Sequence, residues 1–315
     1  MNKIYNAILL SAFIFIVSCS NNNADKATAE NTANTVEANA KKEAVTINIE
    51  GLAAPESVKF RNGKLYMANL GDPNTPKDGF IIVANEDGSN PQKLFEGQLD
   101  SPKGFSFLTD DIIIIPDQVN DSSMTGNLVL ANIKENKIIT KLPIEGSKFL
   151  NDTVVIDPTT VALTDTGAST VHFVKVDNNS ALSITSSVTG IVGANGILLD
   201  NGVLYIAGST FGGDPNGGDI YTLNIDGTGL NKWTASRLGA GALDGIAIAN
   251  GKLYVSDWGE NGANNNACIY VFDLNTKEQL EKIEGSLSGV ADIDLVNNVI
   301  YIPELSTSLI KKIQL

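Results

Sequence analysis

The chain has 315 residues, a formal charge of −14, one histidine and two cysteines. That acidity argues against a nucleic-acid partner and against electrostatic adhesion to anionic lipid. A single histidine, His172, leaves little room for a histidine-based zinc site or a Ser-His-Asp triad, and two cysteines with no CxxC give no disulfide framework.

In chain order, Met1 to Asn6 carries one lysine and Ala7 to Val17 is apolar but short for a membrane span, so it reads as a cleaved export signal. Ile16-Val17-Ser18-Cys19 resembles a bacterial lipobox, which implies lipidation of Cys19 at the end of a 1–19 signal peptide. The expected location is a bacterial outer membrane, reached only through the lipid anchor, with the protein facing the periplasm or the surface. Residues 20–43 are rich in Asn, Ala, Thr and charge and lack apolar periodicity, which predicts a disordered tether.

From 44 to 315 one unit repeats. A polar residue precedes the first strand of each repeat: Glu56, Asn151, Asn195, Asp244 and Asp292, with Lys103 as the sixth copy, 44 to 49 residues apart. Short apolar runs follow, joined by Asn62-Gly63, Asn201-Gly202 and Asn250-Gly251, and more weakly by Asp110-Asp111 and Asn297-Asn298. Asn-Gly between apolar runs signals a type I′ hairpin. Four antiparallel strands in about 45 residues make a propeller blade. The fold expected is all-β: a six-bladed β-propeller of four-stranded blades. The last repeat supplies three strands, and Val45 to Ile49 is the expected donor of the fourth, closing the ring.

Circular repeats bring equivalent positions to one axis, so the polar heads should crowd one mouth of the channel. Asn69, Asp117, Asp165, Ser209, Asp257 and Glu304, about 13 residues later, should lie level with them. Clustered carboxylates need a positive partner. One candidate is Lys103 as an internal counterion. The other is a bound cation held by Glu56, Asn195 and Asp244, with Asn151 as a further ligand. Oxygen-only ligands suit Ca²⁺, and Mg²⁺ less comfortably. Phe149, Phe211 and Trp258 are candidate walls.

The segments Pro55-Glu56, Phe149-Leu150-Asn151-Asp152, Asn195-Gly196 and Leu243-Asp244-Gly245, arriving in this order, resemble the SMP-30/gluconolactonase-like propellers. The resemblance spans about residues 45–315. It implies a divalent ion, Ca²⁺ or Zn²⁺, on Glu56, Asn195 and Asp244, with Asn151 beside it touching water or substrate. It also implies hydrolysis of a lactone or related ester. Departures from the family pattern are Glu56-Ser57-Val58 for Glu-Gly-Pro, Asn151-Asp152-Thr153 for Asn-Asp-Gly, and Phe149 where sugar-specific members carry a basic residue. In such a reaction the cation polarises a carbonyl, and Asp244, or Asp292 as the spare carboxylate, accepts a proton. The alternative is a non-catalytic, surface-anchored propeller that binds a small molecule or protein partner. In either case the ligand sits at the channel mouth and the expected state is a monomer.

Overall fold

The structure, a computed structural model, describes residues 42–72, 74–119, 125–211, 215–259 and 266–315. The expected signal peptide with Cys19, and the expected tether up to residue 41, lie outside the described residues.

Six four-stranded antiparallel sheets are present, as the repeat predicts. Their inner strands are Pro55–Arg61, Ser106–Phe107, Leu150–Asp157, Ala194–Asp200, Leu243–Ala249 and Asp294–Val296. In each blade a tight turn returns the second strand beside the first. Asn62-Gly63, Asn201-Gly202, Asn250-Gly251 and Asn297-Asn298 all take positive φ at both positions, the geometry that matches strand twist. Asp110-Asp111 does not, and there Thr109 closes the turn by donating its N–H to Ile112 O at 3.1 Å.

The sixth blade is completed from the other end of the domain. Val45–Ile47 pairs antiparallel with Leu309–Gln314, with Thr46 opposite Lys311. Ile47 is buried there, while Val45, two residues earlier on the same face, stays exposed at the start of the strand.

Apolar residues alternate between the two faces of each sheet and meet the neighbouring blade. Ile82 joins the cluster shared by blades six and one, with Leu65, Met67, Tyr301 and Ile310. Its neighbour Ile81 joins the cluster shared by blades one and two, with Phe95, Phe105, Ile113 and Val129. Four further clusters fill the remaining seams, so the core is a ring of six interfaces around an axis left to polar side chains.

Inner strands of adjacent blades touch along that axis. Asp292 N donates to Glu56 O at 2.9 Å, and Gly104 N donates to Asn151 O at 2.9 Å. The approach is closest at Gly196 and Gly245. A Cβ at Gly196 would stand 2.1 Å from Asp244 O, and one at Gly245 would stand 2.2 Å from Ile293 N. Only glycine lets these backbones meet.

The pairing also corrects two repeat positions. Pro55 faces Asn69, Pro102 faces Asp117, Leu150 faces Asp165, Leu243 faces Asp257 and Val290 faces Glu304. The residue that follows the first member of each pair is the head: Glu56, Lys103, Asn151, Asp244 and, in blade six, Ala291. Asp292 lies one residue further along, directly bridged to Ser57. In blade four Ala194 faces Gly208, so Ser209 is likewise displaced by one from the position expected for it.

Candidate metal and ligand site at the channel mouth

In blades one, three, four and five the ladder between first and second strands carries a register shift at the head. A bulge of this kind re-aims a side chain. Here it coincides with the four blades that carry Glu56, Asn151, Asn195 and Asp244. These four, with Lys103, line one cavity of about 170 Å³, and Leu70, Phe149, Phe211, Trp258 and Leu305 form its apolar wall. Phe211 and Trp258 meet edge to face, with centroids 5.0 Å apart.

The oxygens here are unusual. Glu56 Oε2, Asn151 Oδ1, Asn195 Oδ1 and Asp244 Oδ1 are all buried, and none accepts a hydrogen bond from the described residues. Asn195 is oriented by its own amide, whose Nδ2 donates to Leu243 O at 3.2 Å. Buried polar atoms are normally paired, and an unpaired carboxylate oxygen is the costlier kind. Four orphaned acceptors on four blades, facing one cavity, form a set that a hard cation satisfies. Two carboxylates and two amides match calcium's preference for oxygen, and four protein ligands leave part of its usual 6–8 sites open. Among the described residues no histidine or cysteine lines the cavity, so the donor set fits zinc less well. Among the described residues no three His, Cys, Asp or Glu side chains gather into a metal-holding group, so the amides are essential to any such site.

The electrostatics agree. Burial, and then the charge of Asp244, push the Glu56 carboxyl well above the usual range, with Lys103 opposing. Asp244 is raised in the same way, by burial first and then by Asp292 and Asp152. Lys103 is 6% exposed, and burial lowers its pKa against the pull of Glu56, Asp244 and Asp117. Its ammonium sits 4.9 Å from the centre of the Phe149 ring. Among the described residues it makes no ion pair within 4.0 Å, so the internal-counterion arrangement is not realised as a contact.

Asp292 belongs to a second polar layer deeper in the channel. Its Oδ2 accepts from Ser57 Oγ at 2.6 Å and from Lys59 Nζ at 2.8 Å, and it does not line the cavity. Burial depresses the Lys59 amine, but Asp292, Asp152 and Asp294 outweigh it and hold the ammonium above its usual range. Asp152 shares this layer. Its Oδ2 accepts from Ile197 N at 3.0 Å, and burial followed by Asp292 pushes its carboxyl up to about 7.

The residues at the end of the second strands do other work. Asn69 accepts from Ala53 N, Asp117 from Asp100 N and Ser101 N, Asp165 from Lys148 N and Phe149 N, Asp257 from Ala240 N, and Glu304 from Ser288 N. Each one ties down the loop leading into its own blade. The next residue along is the one that faces the channel mouth in blades one, five and six, as Leu70, Trp258 and Leu305. Leu70 and Leu305 were not expected from the sequence, although their spacing after Glu56 and Ala291 matches that of Trp258 after Asp244.

His172 stands apart on the third strand of blade three, its Nδ1 2.8 Å from Ser187 Oγ. Cys268 is buried, which pushes its thiol up to about 12.

No family model and no curated protein matches the chain. Among solved structures it is similar to a chain in the crystal structure of a nidogen/laminin complex, at 16% identity and a TM-score of 0.57, covering 79% of this chain and 83% of that one. It is also similar to a functionally unknown protein from Desulfotomaculum acetoxidans DSM 771, at 13% identity and a TM-score of 0.55, covering 79% of each chain. These likenesses carry the fold, and the chain is a six-bladed β-propeller.

Proposed function

We propose that the channel mouth holds a divalent cation, Ca²⁺ before Mg²⁺ or Zn²⁺, and that the protein uses it to hydrolyse a lactone or related ester. The observation that supports this reading is the set of four buried oxygens on four blades, none of which has a hydrogen-bond partner among the described residues. The sequence resemblance to gluconolactonase-like propellers points to the same residues.

When bound, such an ion supplies Lewis acidity toward a carbonyl and a supply of activated water. Glu56, Asn195, Asp244 and Asn151 hold it. Leu70, Phe149, Phe211, Trp258 and Leu305 exclude bulk water and receive the apolar part of the substrate. Asp244 is the proton acceptor nearest the chemistry, since Asp292 is engaged with Ser57 and Lys59.

One observation favours a second reading, a non-catalytic metal-dependent binding protein. Among the described residues, the only carboxylates lining the cavity are the two that would serve as ligands. Chelation, followed by assay on a panel of sugar, aliphatic and aryl lactones and aryl esters, separates the two. Turnover that is lost with chelator and restored by Ca²⁺ supports hydrolysis, whereas a bound ion with no turnover on any of them supports the binding protein. In both readings the lipid on Cys19 keeps the propeller at a bacterial membrane.

A further inference from the structure

Lys103 is the one polar head residue that the cation site does not use. It is nine-tenths buried, stands in the same cavity as the four oxygens, and has no hydrogen bond or ion pair among the described residues. An ammonium in that position is expensive without a counter-charge. Once a divalent ion is in place, Glu56 and Asp244 neutralise it, and Lys103 is left as the uncompensated charge of the cavity. The rest of the lining is apolar and partly aromatic, with Phe149 against the ammonium and Phe211 packed on Trp258.

Resting on the metal reading above, we propose that the ligand of this site carries a negative charge that Lys103 receives, the ligand being a small carboxylate with an apolar or aromatic body. A cavity of about 170 Å³ is below the roughly 300–1,000 Å³ of drug-sized sites, so that body is no larger than a single ring or a short chain. If the protein is a hydrolase, its substrate is an anionic lactone or ester. The apolar wall receives the hydrocarbon, Lys103 receives the carboxylate, and the scissile carbonyl faces the four oxygens.

Isothermal titration calorimetry with a matched pair of probes, phenylacetate and phenylacetamide, tests this on the Ca²⁺-loaded protein. Wild type is expected to bind the acid at least tenfold more tightly than the amide. Lys103→Met is expected to lose that preference while binding Ca²⁺ more tightly than wild type, because a like charge beside the ion is gone. Lys103→Arg should retain part of the preference. Equal affinity of wild type for the two probes, or an unchanged preference in Lys103→Met, overturns the assignment and leaves the metal reading intact. Failure of wild type to bind Ca²⁺ overturns both, because the ammonium then faces two uncompensated carboxylates. Should Lys103→Met fail to fold, the comparison of the two probes on wild type still decides.

Discussion

Glu56→Gln should change the sign of its effect on stability depending on whether the cation is present. Without the ion, burial and the charge of Asp244 hold the Glu56 carboxyl well above its ordinary range. A carboxyl whose folded-state pKa is raised contributes stability at low pH and loses it as pH rises through the folded value. At pH 8, in chelator, glutamine of the same shape removes an unfavourable buried charge, and the variant should melt above wild type. The gap should narrow toward pH 4. With Ca²⁺ at one hundred times its dissociation constant, wild type gains about 2.7 kcal/mol by mass action. At roughly 2–3 °C per kcal/mol for a domain of this size, that is about 5–8 °C. The variant, having lost one of two charged ligands, gains little, and the order of melting reverses. Paired thermal melts in chelator and in Ca²⁺, followed by circular dichroism, read this directly. The same order of melting in both conditions would refute the reasoning.

Three further outcomes are expected. Lys59→Met leaves Asp292, 2% exposed, without its ammonium, and should cost about 3–5 kcal/mol in urea unfolding; a loss below 1 kcal/mol would show that the deeper layer is solvated. Asp117 has its carboxyl pushed up to about 6, chiefly by burial against the pull of Lys141. Its contribution is therefore full below about pH 4 and lost as pH rises through 6, a difference of about 3 kcal/mol. Asp117→Asn should flatten the pH dependence of unfolding over that window, and an unchanged slope would contradict the assignment. Deleting residues 42–50 removes the outer strand of blade six and the burial of Ile47, itself worth about 1.5–3 kcal/mol, and exposes the edge of Leu309–Gln314. Aggregation or a lowered melting temperature is expected, and a monomer of unchanged melting temperature would refute closure by the N-terminal strand.

The fold was legible because its determinants are local and repeat. Asn62-Gly63, Asn201-Gly202 and Asn250-Gly251 each set a hairpin, and their spacing sets the blade. The convergence of Glu56, Asn151, Asn195 and Asp244 was legible for the same reason, since ring closure turns a period into an axis. Asp292 misled because blade six carries Ala291 at the head, with a carboxylate one step beyond it. One step along an inner strand moves a side chain into the next layer of the channel, where Lys59 and Ser57 take it. The second-strand acids misled differently. Their level along the axis follows from residue counting, but the hydrogen bonds that turn Asp165 and Asp257 onto the incoming loops depend on where those loops pass. Lys103 was recognisable as a cation at the mouth. Only its distance from both carboxylates, set by the packing of blade two, separates a ligand anchor from a counterion.

The central claim is that four oxygens from four blades hold one divalent cation. Elemental analysis of the purified protein, with a Ca²⁺ titration of the chelator-treated form, tests it most directly. One equivalent of ion per chain in wild type, lost in Asp244→Asn and in Asn195→Leu, is the predicted result. A protein that carries no divalent metal and binds no Ca²⁺ in the titration would contradict it.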